Sequence, residues 1–413
     1  MQPQTAPASD RAYEFKAVSL LALGLGMVGL DRFIINPLFP VMQKELGLDY
    51  QDLGLISAAL ALTWGVASIV SGRLADRVGP RRVLVPAMVV FSLLVATTGL
   101  ATGLASLLVI RCVMGLAEGA YVPASIVATV NASKPARVGL NIGLQQMAQP
   151  LVGLGLGPLI AIGLLKVMPS WHFVFAAVAL PGLLLAVAMA KVLRGPAGVP
   201  AAHGDLREWR AVATHSAVLV NTAAMLCYLT CVITLSAFMP NYLTDHLKLN
   251  LDQMGMVLTG QGAGSLVGMV VIPALSDRFG RKRMVLAALL VELVALVMFR
   301  AIGAEPVKLF AALFVITFMN AGAIAVTVGP LTSAAVPAGL AASATGVVVG
   351  VGEIVGGALA PAIAGALAHA IGIIVIPLIA LTAIAAGTAV VAFGVHEPGR
   401  SAHLDEQPAN TLP

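Results

Sequence analysis

The stretch Gly72-Arg-Leu-Ala-Asp-Arg-Val-Gly-Pro-Arg-Arg-Val83 decides how this chain is read, because it returns as Ala274-Leu-Ser-Asp-Arg-Phe-Gly-Arg-Lys-Arg-Met284. Asp76 and Asp277 stand 201 positions apart in a chain of 413 residues, which makes two similar halves. Each copy is a short basic turn between long apolar runs. Gly72 and Gly79 allow close helix packing and a tight turn. Asp76 sits among Arg73, Arg77, Arg81 and Arg82 at a helix end, where ion pairs can form in one conformation and break in another.

Working outward from these turns, the composition fixes the solvent. The chain is 59% hydrophobic and 10% charged, with a mean hydropathy of +0.96, whereas a soluble domain carries about 25% charged residues. The surroundings are therefore lipid. A spanning helix needs roughly 20 mainly apolar residues, and twelve such stretches start near Ala17, Asp52, Val83, Ser106, Gly139, Trp171, Ser216, Gly255, Met284, Val307, Ala341 and Ile371. The expectation is an all-α membrane protein of twelve transmembrane helices in two pseudo-symmetric six-helix bundles, over 17–193 and 214–394. A Pro- and Gly-bearing linker at 194–213 joins them, and tails at 1–16 and 395–413 flank them.

The first apolar stretch follows a polar tail, runs the length of a full span and holds Asp31-Arg32 near its centre, so it reads as a retained helix rather than a signal peptide. Of the 24 lysines and arginines, seventeen fall in loops on the side of the amino terminus and five on the other, with Arg32 and Arg111 inside the membrane. Because cytoplasmic loops carry the positive excess, both termini are expected in the cytoplasm. The net charge of +5 and pI of 9.3 follow from this topology without invoking nucleic acid. Cys112, Cys227 and Cys231 all fall in predicted helices, where cysteine acts as a small apolar residue, and neither a disulfide nor a metal site is expected.

Substrate chemistry must come from ionisable groups that lipid otherwise excludes, since each costs about 2.5 to 3.5 kcal/mol at a helix centre even on the lenient scale. Six remain: Asp31, Arg32, Arg111, Glu118, Glu292 and Glu353. Arg111 and Glu118 lie seven residues apart and project from one helix face. Two guanidinium groups suit an anion, which arginine grips with two parallel hydrogen bonds. A carboxylate beside them suits a proton, because apolar walls favour its neutral form and a nearby arginine its charged form. None of the seven histidines lies deep in a predicted span. Glu353, between glycines, reads either as a further proton site or as a packing partner for Asp76. Glu292 reads as an interhelical or lipid-facing group. Tyr228, Gln145 and Asn320 read either as substrate-binding groups or as ordinary helix-to-helix hydrogen bonders.

The repeated loop resembles the signature loop of the major facilitator superfamily, and the resemblance covers the whole chain. It implies a cytoplasmic conformational latch made by Gly72, Asp76, Arg77, Gly79 and Arg81, with Asp277 and Arg278 in a weaker copy. It also implies a binding site between the halves near the bilayer midplane. Asp31-Arg32 in the first helix, with Arg111-x-x-x-Gly115-x-x-Glu118-Gly-x-x-x-Pro123-Ala in the fourth, resembles the anion:cation symporter family, whose bacterial members resemble sugar-acid transporters and import organic anions with protons. That resemblance implies that Asp31 and Glu118 exchange protons and that Arg32 and Arg111 organise the cavity and hold the anion. The chain departs from the family after the fourth helix, where it reads Asn131-Ala-Ser-Lys-Pro-Ala-Arg137.

The expected function is proton-coupled symport of a small organic anion, with the proton as coupling ion and no other cofactor, by a monomer in the lipid of a bacterial inner membrane. The alternative is a drug:proton antiporter, since Gly153-Leu-Gly-Leu-Gly-Pro158 partly resembles a motif of drug exporters, although Ala161 and Ile162 replace its paired glycines. An enzyme or a sensor finds no nucleophile, metal or nucleotide constellation and no long soluble domain in the sequence.

Overall fold

The computed structural model describes residues 11–195, 212, 214–337 and 340–395, without the side chains of 69, 70, 72–77 and 342. Its helices run in chain order as α1 (Arg11–Leu46), α2 (Tyr50–Val78), α3 (Pro80–Thr98), α4 (Leu104–Ala132), α5 (Pro135–Val167) and α6 (Trp171–Val192). The second half repeats the series as α7 (Ser216–His246), α8 (Leu251–Phe279), α9 (Arg281–Ala301), α10 (Pro306–Ala334), α11 (Ser343–Ile371) and α12 (Ile373–Gly394). Among the described residues, eleven of these, all but α2, are long and apolar enough to cross a membrane. A helix satisfies its own backbone donors and acceptors, which lipid cannot do for it.

α1 is interrupted at Ile34. Pro37 has no N–H to offer the carbonyl of Phe33, and Pro40 repeats the defect one turn on, so the ladder breaks there. The helix also begins earlier than the apolar run that starts near Ala17. Glu14 is buried and its carboxylate accepts from Arg137 Nη2 (2.6 Å), Asn141 Nδ2 (2.9 Å) and the Lys134 backbone N–H (3.3 Å). That network ties the first turn of α1, which begins at Arg11, to the start of α5. The expected linker and the remaining parts of both tails lie almost wholly outside the described residues.

The internal repeat is physical as well as textual. Gly79 (φ +88°) and Gly280 (φ +96°) hold the same left-handed turn 201 positions apart, a conformation that costs other residues strain. Just after each turn a basic side chain reaches a late carbonyl of the sixth helix of its own half. Arg81 donates to the Ala190 carbonyl oxygen, and Lys282 Nζ donates to that of Ala392 at 2.8 Å. Cations there complement the negative end of the helix dipole.

Small residues bring helices to backbone contact. In the second half, Gly260, Gly264 and Gly268 of α8 lie against the carbonyl oxygens of Phe310, Phe314 and Phe318 on α10. In the first half the partners exchange roles, with Gly115 and Gly119 of α4 against the carbonyls of Leu60 and Trp64 on α2. Such stripes let membrane helices approach without a side-chain layer. Gly264→Leu, which would drive a side chain into Phe314 and Thr317, is expected to destabilise the protein by about 1 to 3 kcal/mol. Thermal unfolding of the purified protein in detergent checks this, and an unchanged midpoint would show slack in that packing.

The halves meet along two seams. α5 crosses α8 where the Gly155 backbone touches Gly262, and α2 crosses α11 where Gly54 and Gly365 abut, with the Pro361 and Tyr50 carbonyls beside them. Polar contacts between the halves gather at the end of the bundle that bears the Gly47 turn. They are Gln43–Asn241 (2.7 Å), Tyr50–Asp245 (2.9 Å), Asp49–His369 (2.9 Å) and Lys166–Asp252 (2.5 Å), with Asn36 Nδ2 donating to the Ser236 carbonyl (2.9 Å) somewhat deeper. The bundle is therefore tied shut at that end. Among the described residues, four short stretches are wound as π-helix: Leu151–Leu156 in α5, Tyr242–His246 in α7, Thr327–Leu331 in α10 and Glu353–Leu359 in α11. Those in α5 and α11 occupy equivalent places in the two halves.

Candidate functional site

Arg111, Gly115 and Glu118 share one stripe of α4, and Gly115, with no side chain, lets α2 close over the space between the two charged residues. Arg111 is 2% exposed and Glu118 is fully buried. Arg111 Nη1 donates to the backbone oxygen of Asp31 at 3.2 Å and lies 3.7 Å from Met114 Sδ, while its Nε has no hydrogen-bond partner. Asp31 is 1% exposed. Neither its carboxyl oxygens nor those of Glu118 have a hydrogen-bond partner. Asp31, Arg111 and Glu118 lie within electrostatic reach of one another. An arginine with spare donors thus stands beside two bare carboxyl groups, in surroundings where unpartnered polar groups are costly.

Arg32 follows Asp31 on the helix and points about 100° away, toward the other half. Its Nη2 pairs with Glu353 Oε2 of α11 at 2.8 Å. The guanidinium also lies 5.6 Å from the ring centres of both Phe33 and Trp64, a favourable position for a cation. Arg32 and Arg111 line the same cavity, of about 30 Å³, together with Asn36, Ser57 and the apolar Ile56, Leu60, Ile233 and Ala237. That space suits water rather than an organic anion, since one water needs about 10 to 15 Å³ by this measure. In this arrangement the walls have closed on the site.

The structure does not bring the other expected substrate-binding residues to this cavity. Gln145 joins α5 to α4, donating to Ser125 Oγ (2.8 Å) and accepting from Thr129 Oγ1 (2.6 Å). Asn320 donates to Glu292 Oε1 at 2.9 Å and to the Tyr228 carbonyl at 3.4 Å. Cys231 Sγ donates to the same Glu292 oxygen at 3.4 Å. Glu292 is fully buried among α7, α9 and α10 and does not face lipid. Tyr228 is fully buried with its ring against Gly387 of α12. Glu353 pairs with Arg32, which settles where its carboxylate points.

Of the expected latch, Gly79 forms the turn and Arg81 the carbonyl contact described above. Asp277 and Arg278 are exposed, with Arg278 5.5 Å from the ring of Phe279. The backbone of Gly72, Asp76 and Arg77 is helical, and their side-chain positions lie outside the described residues. Sequence reasoning missed Trp64, Asn36 and Ser57. Asn36 carried a readable signal, since it sits one turn beyond Arg32 on the same face.

The profile of the family described as Major Facilitator Superfamily matches residues 21–240 and again 222–412. A hexuronate transporter of Bacillus subtilis is 27% identical over 268 residues, 61% of this chain and 62% of that protein. The "Probable sulfoacetate transporter SauU" of Cupriavidus necator is 25% identical over 270 residues, again 61% and 62%. The chain thus spans about 62% of the length of these two curated relatives. A shorter match, 30% identical over 159 residues, 38% of this chain and 33% of the relative, is to a protein of Escherichia fergusonii named for multidrug resistance, MdtD.

Among solved structures, a bacterial homologue of the human lysosomal transporter Spinster, inward-facing and occupied, superposes with a TM-score of 0.74 at 17% identity, over 93% of this chain and 95% of that one. The nucleoside transporter NupG gives 0.75 at 12% identity, over 90% and 98%. With the profile matching both halves, and many apolar helices in the fold that these transporters share, this chain is a multi-pass membrane protein, not an enzyme, and belongs to the Major Facilitator Superfamily.

Proposed function

We propose that this protein is a secondary active transporter that carries a small organic anion, a carboxylate, together with protons by alternating access. The observation that carries the reading is that Arg32 and Arg111, from two different helices, line one cavity, with the bare carboxyl groups of Asp31 and Glu118 close by. The arginines supply the forks that grip the anion. Asp31 and Glu118 carry the protons, and because each bound charge alters the field at the others, anion and proton bind together. The names of the relatives from Bacillus subtilis and Cupriavidus necator, for a hexuronate and for sulfoacetate, support an anionic substrate.

In this reading α2 is the twelfth span. The bundles cover 17–193 and 214–394, 194–213 links them, and both termini lie in the cytoplasm of a bacterial cell whose inner membrane holds the protein as a monomer. The Gly47 end then faces outward, so the arrangement described is closed to the outside. Gly72, Asp76, Arg77, Gly79 and Arg81, with Asp277 and Arg278, form the cytoplasmic latch. The match to MdtD favours a second reading, drug:proton antiport.

The test is proton movement into proteoliposomes while monocarboxylates, sugar acids, dicarboxylates, sulfoacetate and cationic dyes are added outside in turn. Anion-triggered proton entry is the expected result. Proton release driven only by cationic or neutral amphiphiles would replace symport with antiport.

A further inference from the structure

Among the described residues, Arg32–Glu353 is the ion pair that joins the halves in the body of the bundle, the others lying at the Gly47 end. Two local features let Glu353 reach across. It opens the π-wound turn Glu353–Leu359, and such a turn re-aims the side chains of a helix, often at a functional site. Four residues on stands Gly357, itself part of the cavity wall. A Cβ at Gly357 would stand 2.7 Å from Glu353 Oε2, so any side chain at that position would push the carboxylate from where it lies. On the other side, Phe33 and Trp64 flank the guanidinium of Arg32 and hold its orientation.

The result is a carboxylate delivered to an arginine that lines the cavity, at 2.8 Å and with side-chain exposures of 7% for Arg32 and 12% for Glu353. This is the contact that a carboxylate substrate would make. We propose that Glu353 is a tethered carboxylate that occupies the anion subsite on Arg32 in the empty protein and, in doing so, clamps α11 of one half to α1 of the other. The idea rests on the anion reading of the cavity for what displaces Glu353, but not for the clamp itself. An incoming carboxylate competes for the same guanidinium face. Once it has taken Arg32, Glu353 no longer ties the halves together, and the arrangement closed at the Gly47 end loses part of its advantage. Substrate binding is thereby connected to movement through differential contacts in the two states, which any ligand-driven change requires. Gly357 acts as a positioning residue, through the room it leaves for the carboxylate of Glu353.

The experiment places spin labels at Thr102 and Ala304, exposed in the Gly47-end turns of the two halves, in a background with Cys112, Cys227 and Cys231 replaced by alanine. Distances are read with no anion present. Wild type should give a dominant short distance, while Glu353→Gln and Gly357→Ala should each make a longer distance the major population, the second with the carboxylate still in the chain. The exchange of Arg32→Glu with Glu353→Arg should restore the short distance. Unchanged distributions in both single variants would overturn the clamp.

A second arm adds glucuronate to the labelled wild type, where it should lengthen the distance as the variants do, and measures its binding to Glu353→Gln, expected tighter by about tenfold because the competitor is gone. Weaker or equal binding would overturn the competition. If the anion-free variants shift while neither glucuronate nor any other acid acts on wild type, the clamp stands and the anion reading of the cavity falls.

Discussion

Glu118→Gln is expected to abolish proton-driven accumulation of the substrate while leaving exchange of substrate across the membrane measurable. Glu118 is fully buried and its two carboxyl oxygens have no hydrogen-bond partner, so its charge is answered through space, by Arg111 first and Arg32 second. Glutamine keeps the shape and loses the ability to take up and release a proton. The anion can still bind and the halves can still rock, but the proton gradient no longer drives the cycle, and the internal concentration should stop at the external one. Reconstituted vesicles with an imposed pH gradient give the measurement, with counterflow of labelled substrate as the control for a folded and mobile protein. Asp31→Asn should behave in the same way. Undiminished accumulation in both variants would take these carboxylates out of the coupling step.

Arg111→Ala should weaken anion binding by about a hundredfold. That is the factor for roughly 3 kcal/mol, the range of a hydrogen bond made to a charged group. Arg111 lines the cavity, and its Nε has no partner inside the protein, so donor capacity remains for a ligand. Its Nη1 also holds the Asp31 carbonyl at 3.2 Å, and the alanine variant therefore loosens α1 as well. Arg111→Lys separates the two effects, because lysine keeps the charge and loses the planar fork, and it should fall between alanine and wild type. Arg300→Ala is the comparison, an exposed arginine at the Gly47 end of α9. Equal affinity in Arg111→Ala and Arg300→Ala would remove Arg111 as the anchor.

The architecture was readable because lipid leaves few options. A repeat of basic turns between apolar runs is nearly a topology diagram, and the Gly79 and Gly280 turns fall where the text repeats. The gathering of Asp31, Arg32, Arg111 and Glu118 was readable for a related reason, since charged side chains in a membrane have to find the interior and one another. The pairing of Arg32 with Glu353 was not. The two stand 321 positions apart, in different halves, and the reach of Glu353 depends on a π-wound turn and a bare Gly357 that no periodicity announces. Tyr228, Gln145 and Asn320 show the same limit. A polar side chain on an apolar helix satisfies the sequence equally well whether it meets substrate or a neighbouring helix, and only the rotation of the helix tells the two apart. Glu292 stood between an interhelical and a lipid-facing reading, and its contacts with Cys231 and Asn320 make it interhelical.

The glycine contacts at the two seams bear on speed rather than on stability. Where side chains interlock, ridge into groove, moving one helix past another forces each residue out of its well and into the next. Gly155 against Gly262, and Gly54 against Gly365, put bare backbone on bare backbone, so rotation there disturbs few rotamers. In the proposed cycle the seams would serve as plain bearings between the two halves. The pace of that cycle would then be left to the bonds that must break at the Gly47 end and in the cavity, and a single methyl group added to either bearing would act as grit in it.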